Sequence, residues 1–208
     1  MLNIGVLVSG GGTNLQAILD AIAAGKIKNG RVVTVVSSKR GAYALERAKN
    51  AGIDGTVLSK KDFSSPDELD RAIAAHMQAF DVDLVVMAGY LSIVGDALIH
   101  AYENRIINIH PALIPSFCGK GYYGLHVHEK VLEYGVKVTG ATTHFVNAIP
   151  DGGAVILQKA VEVLDGDTPE VLQKRVMEQA EWEILPQSIA LYCDGKLELN
   201  GRHVRIRS

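Results

Sequence analysis

The chain has 208 residues, 48% of them hydrophobic, and a formal net charge of −2. That length suits one domain with a substantial core, and the balanced charge offers no basic patch of the kind that nucleic acid or a membrane surface requires. The longest apolar runs, such as "LVVMAGYL", are far shorter than a bilayer span, and the two cysteines, Cys118 and Cys193, lack metal-type spacing, which fits a reduced, cytoplasmic setting.

"NIGVLVSG" reads as a buried strand ending in glycine, with no charged leader before it, so no signal peptide is expected. "NLQAILDAIAAG" follows with helical periodicity and stops at Gly25, "RVVTVVSS" is a second strand, and "AYALERAKNAG" a second helix stopped by Gly52. "SPDELDRAIAAHMQAF" opens with Ser65 as N-cap, Pro66 at the first helical position and Glu68 closing a capping box. "DLVVMAG" is a third strand, and the alternation predicts an α/β, mostly parallel, doubly wound sheet. Beyond it come a strand "RIINIH", a helix "VHEKVLEYG", two strands "TGATTHFV" and "AVILQKAVEV", and a long C-terminal helix capped by Thr168 and interrupted by Pro186. The tail "KLELNGRHVRI" carries the Asn200-Gly201 hairpin signal. No repeat or linker divides the chain, so a single domain over residues 1–208 is expected.

"SGGGTN", residues 9–14, joins the first strand to the first helix. Glycines there let backbone N–H groups approach an anion at a helix N-terminus, and a Cβ on Gly12 is expected to crowd that approach. A dinucleotide fingerprint needs a third glycine where this chain has Leu15, and a Walker loop needs Gly-Lys-Ser/Thr where it has Gly12-Thr13-Asn14. The loop therefore favours the phosphate of a small ligand, the alternative being a tight turn that binds nothing.

In "IINIHPALIP", Asn108 and His110 lie two residues apart, so a strand presents both on one face. They fall at the carboxyl end of a strand, where open α/β sheets bind ligands. The loop "NAIPDGGAVI" after another strand offers Asp151. An amide, an imidazole and a carboxylate together suit acyl transfer to an amine, with the amide on the oxyanion and the imidazole moving protons. Singly, each residue has a structural reading: a strand-end cap, a satisfied core histidine, a common turn. His126 and His128, with His110, His144 and Cys118, lack a helical ligand spacing, so no metal is expected.

Taken together, these motifs are similar to those of the glycinamide ribonucleotide formyltransferases, the folate-dependent enzymes of de novo purine synthesis. "IGVLVSGGGTNLQAI", "DLVVMAGYL", "INIHPALIP", "GLHVH", "TGATTHFV" and "DGGAVILQ" occur in the family's order over nearly the whole chain. The resemblance implies a Rossmann-like formyltransferase fold and transfer of a formyl group from 10-formyltetrahydrofolate, without metal, in a cytoplasmic monomer or homodimer. It implies that Asn108, His110 and Asp151 are catalytic, with Asp151 keeping the histidine charged and placing a proton-shuttling water. Gly12, Thr13 and Asn14 match the substrate phosphate site, and Glu181 the group that helps hold the sugar-phosphate end. Met87, Ala88, Gly89, Tyr90, Leu91, Ser92, Ile93 and Val94 match one wall around the pterin, and Asn147, Ala148, Ile149 and Pro150 the other. His144 is expected near the site.

Two departures from the family pattern stand out. After "ALIPSF" the chain inserts "CGKGYY", Cys118 to Tyr123, whose glycines and missing apolar periodicity predict a mobile flap. Trp182 follows Glu181 where many members have histidine. A reading from another class, a nucleotide-binding regulatory module, would keep the glycine loop and have no need of Asn108, His110 and Asp151 at matched strand ends.

Overall fold

A computed structural model describes residues 1–207. Seven strands form one sheet in the order β3-β2-β1-β4-β5-β6-β7. These are β1 (Leu2–Val8), β2 (Gly30–Ser37), β3 (Asp54–Val57), β4 (Leu84–Met87), β5 (Ile106–His110), β6 (Val138–Phe145) and β7 (Val155–Glu162). Strands β1 to β5 pair in parallel, and β6 runs antiparallel to both its neighbours. The sheet is thus doubly wound and mostly parallel.

Helices cover both faces: α1 (Thr13–Ala23), α2 (Tyr43–Asn50), α3 (Pro66–Ala79), α4 (Asp96–Ala101), α5 (Leu125–Tyr134), α6 (Pro169–Val176) and α7 (Trp182–Cys193). Their burial splits the core in two. Ile4, Val6, Val86, Ile107 and Ile109 pack with Leu15, Leu172 and Leu185 on one face. Leu7, Val85, Met87 and Ile106 pack with Ile73, Met77 and Leu98 on the other. Each central strand feeds both clusters by simple alternation, as a strand covered on both sides must.

Capping follows the expected chemistry, with one shift. The Ser65 hydroxyl accepts from the Glu68 N–H at 3.1 Å, but the Glu68 carboxylate reaches back to the N–H and hydroxyl of Ser64 rather than to Ser65. The C-terminal helix also differs in detail from expectation. It continues through Pro186, and its irregularity lies upstream, in a π turn at Met177–Glu181. Pro186 offers no N–H to the Trp182 carbonyl and crowds it, so the wider turn ends just before the residue that the proline disturbs. Two elements escape the sequence pattern, β3 and α4. The tail forms the expected hairpin, β8 (Leu197–Asn200) with β9 (His203–Ile206), turning on Gly201 and Arg202.

The chain leaves β1 toward β2 and β3, then returns past β1 to β4 and β5. That reversal opens a crevice at the carboxyl ends of β1 and β4, the place where such sheets bind ligands. The glycine loop follows β1, the segment 88–94 follows β4, and Asn108 and His110 end β5.

Candidate active site

A cavity of about 600 Å³ occupies this crevice. All the candidate residues from both pterin walls, the glycine loop, the β5 end and the 147–151 loop border it, together with His144 and Glu181. One site therefore gathers residues that lie up to 169 positions apart in the chain.

At its centre, register sets the polar cluster. In β5, Asn108 pairs with Met87 on one side and His144 on the other. His110 is 4% exposed, and its Nε2 lies 2.8 Å from the Phe117 carbonyl. A carbonyl only accepts, so that nitrogen carries the proton. The other nitrogen, Nδ1, faces Asp151 Oδ2 at 3.5 Å. His144 repeats the arrangement: Nδ1 donates to the Phe145 carbonyl at 2.8 Å, and Nε2 accepts from the Asn108 amide at 3.1 Å and faces Asp151 Oδ1 at 3.5 Å. One carboxylate thus sits between two imidazoles, each presenting the nitrogen that is bare in the neutral ring.

The Asp151 turn is built for this position. Its φ is 54°, a left-handed value that aspartate tolerates. A Cβ on Gly153 would lie 1.7 Å from the Phe145 carbonyl oxygen, so only glycine lets the turn close against β6. The Gly119 N–H donates to Asp151 Oδ2 at 2.8 Å from the far side.

Burial dominates the titration of His110. It lowers the pKa of the imidazole, and the Asp151 charge and the Phe117 carbonyl oppose it without overcoming it. The expectation that Asp151 keeps this histidine charged is therefore corrected: the net shift favours the neutral ring, because desolvation outweighs one carboxylate at 3.5 Å. For Asp151 the balance runs the other way. Burial raises it, but the flanking His144 and His110 and the Gly119 N–H outweigh burial and leave its pKa below the ordinary aspartate value.

The glycine-loop end works through the backbone. The N–H groups of Thr13 and Asn14, at the start of α1, donate to no protein acceptor among the described residues, as first-turn groups do. The loop is braced from outside, where the Ala44 N–H donates to the Gly10 carbonyl and Arg47 Nε to the Gly11 carbonyl. The reason for Gly12 differs from expectation. Its φ is 73°, and an added Cβ would lie 2.6 Å from the Ala44 Cβ, toward α2 rather than across an anion's approach. Beside the loop, Asn14 Nδ2 donates to Glu181 Oε2 at 2.6 Å. Asn14 Oδ1 is buried without a partner, and burial pushes the Glu181 carboxyl up to about 7, with Asn14 pulling it back. Glu181 lies in the π turn, whose extra width carries it toward Asn14.

The 118–123 insert and its neighbour Phe117 make contacts into the site. Just before it the Phe117 carbonyl accepts from His110 Nε2, within it the Gly119 N–H donates to Asp151, and the Tyr122 ring meets Phe117 edge-on at 6.4 Å. These anchors are polar or aromatic, so they leave no apolar periodicity to read. Ser9, the first residue of the glycine loop, accepts through its hydroxyl from the Leu91 N–H at 2.9 Å and ties the loop to the wall after β4. Gln173 and Met177, which no motif singled out, also border the cavity, as do His128 and Lys120. Asp70, buried in α3, accepts from the Gly95 N–H at 2.7 Å and fixes the far end of that wall. Among the described residues no group of three or more His, Cys, Asp or Glu is arranged to hold a metal ion, and no helix is long and apolar enough to cross a membrane.

Comparison with known proteins gives the family. The formyl transferase family model matches residues 2–189. The phosphoribosylglycinamide formyltransferase of Haemophilus influenzae is 41% identical over 96% of this chain and 91% of its own length, and that of Escherichia coli is 42% identical over the same shares. The crystal structure of glycinamide ribonucleotide transformylase 1 from Symbiobacterium toebii covers 100% of this chain, and 95% of that chain is covered in turn, with a TM-score of 0.94 at 47% identity. The chain belongs to the formyl transferase family.

Proposed function

We propose that this formyl transferase moves the formyl group of 10-formyltetrahydrofolate onto the amine of glycinamide ribonucleotide, as a single domain acting on small molecules in the cytoplasm. The observation that carries the reading is one continuous cavity with unpaired backbone donors at one end and the Asn108–His110–His144–Asp151 cluster at its centre.

The parts fit the two substrates. Thr13 and Asn14 offer N–H groups to a phosphate. Asn14 Oδ1 and the Glu181 carboxyl offer acceptors to sugar hydroxyls, which supply the donors that the orphaned oxygen lacks. At the other end, Leu91, Ile93 and Ile149 are 46%, 68% and 63% exposed on the rim, an apolar frame for a flat ring.

In the reaction the substrate amine attacks the formyl carbon, and the carbonyl oxygen takes on negative charge. One hydrogen of the Asn108 amide is committed to His144, and the other is directed at that oxygen. His110, buried and largely neutral, accepts a proton more readily than a permanent cation would, and Asp151 stabilises the imidazolium as it forms. Asp151 also places the water through which the amine's proton reaches the folate nitrogen as the C–N bond breaks. The net change is one formyl group moved one way and one proton moved the other.

The test is an absorbance assay with purified protein, 10-formyltetrahydrofolate and glycinamide ribonucleotide. Release of tetrahydrofolate dependent on the ribonucleotide is the expected result. Binding of the ribonucleotide without turnover would point instead to a regulatory nucleotide-binding module.

A further inference from the structure

A cavity meant for a phosphate needs countercharge, and this one has little positive charge around it. Asp151 and Glu181 border it, and the flanking histidines His110 and His128 are pushed toward their neutral forms. Arg47 stands close to the glycine loop, but its guanidinium is spent on the Gly11 carbonyl and Gln16, and it faces a separate groove between α1 and α7. Among the described residues Lys120 is the only lysine or arginine that borders the cavity. It has no acidic partner within ion-pair distance among those residues.

The position of Lys120 is constructed. Gly119 and Gly121 on either side have φ of 87° and 97°, and Gly119 is hydrogen-bonded to Asp151. The strap then runs into α5, which packs on α6, the element that brings Gln173 to the cavity wall. Lys120 thus borders the same cavity as Gln173 and the glycine loop.

We propose that Lys120 is the cation that binds the phosphate of the ribonucleotide, so that the inserted segment completes a site whose other donors are backbone N–H groups. The proposal rests on the function proposed above for the identity of the phosphate's carrier. A charge-assisted hydrogen bond to a partly exposed oxyanion corresponds to roughly a tenfold change in affinity.

Lys120→Met removes the charge and keeps the length. Calorimetric titration with ribose 5-phosphate should show about tenfold weaker binding than wild type, with a smaller dependence on salt. Lys120→Arg should restore most of it. In steady state the KM for glycinamide ribonucleotide should rise by a similar factor while the KM for the folate holds. The difference between wild type and variant should vanish with glycinamide riboside, which lacks the phosphate. A rise in the folate KM alone would assign Lys120 to the folate's carboxylates and overturn the proposal, as would an unchanged affinity for ribose 5-phosphate. Ribose 5-phosphate binding needs no turnover, so a wild-type protein that bound it through Lys120 yet transferred no formyl group would sink the function and leave the anion site standing.

Discussion

In the glycine loop the donors on offer belong to the backbone, and at the end of β5 they belong to side chains. The first needs a conformation: a left-handed Gly12, a helix that starts on time, and α2 packed closely behind. The second needs a charge distribution: one carboxylate between two imidazoles whose outer nitrogens are tied to carbonyls. The backbone donors are therefore sensitive above all to an added Cβ, and the cluster above all to a change of charge. Substitutions can separate the two.

The largest effect is expected at Asp151. Asp151→Asn keeps the shape and an acceptor for the Gly119 N–H, but removes the charge. The contribution of Asp151 raises the His110 pKa against burial, so its loss lets that pKa fall further. Loss of a positioned acid–base group typically costs on the order of 10²–10⁴-fold in rate. We expect kcat to fall by such a factor while both KM values stay within a few fold, because the glycine loop and the walls formed by residues 87–94 and 147–150 are untouched. Turnover close to wild type would return Asp151 to the ordinary turn aspartates and dissolve the distinction between the two ends.

The next effect tests the conformational end. Gly12→Ala forces a side chain into a left-handed residue and against Ala44, whereas Gly11→Ala puts its Cβ where nothing lies within 4 Å. The left-handed strain and overpacking together cost about 2–5 kcal/mol, a fall of roughly 4–20 °C in Tm. Gly11→Ala should leave Tm nearly unchanged. Thermal unfolding of the two variants side by side checks this, and equal stability would mean that the loop is not held by α2.

What could be read from the sequence divides along the same line. The order of strands and helices was legible because aliphatic runs and caps such as Ser65 and Thr168 are local signals. β3 was not, since "DGTV" contains two residues that strands avoid, and neither was α4, six residues long. Asn108, His110 and Asp151 were legible as strand-end and turn residues that the topology brings together. The direction of the His110 shift was not, because burial is a tertiary quantity. The contacts of Ser9 and Phe117 and the complete burial of His128 were not legible either, because they depend on how separate segments pack. The reason for Gly12 was misread for the same cause: its crowded neighbour, Ala44, belongs to another helix.

The smallest effect concerns a side chain that neither end accounts for. His128, on α5, is fully buried at the cavity wall, and neither ring nitrogen has a protein partner. Burial, with His110 nearby, pushes its pKa down to about 4 from the ordinary 6.5. The folded protein therefore holds this proton less tightly than the unfolded chain does. Its contribution to stability is complete above pH 6.5 and is lost as the pH falls toward 4, by up to about 1.4 kcal/mol per unit. From 6.5 to 5 that amounts to roughly 2 kcal/mol, or about 4–8 °C in Tm. His128→Gln cannot titrate, while His110 and Asp151 remain in both proteins and their share cancels. Melting curves at pH 7, 6 and 5 should thus show wild type losing stability faster than the variant. Parallel slopes would mean that water reaches His128 through the cavity and solvates its cation, so that the imidazole belongs with the open, backbone-lined end rather than with the buried cluster beside it.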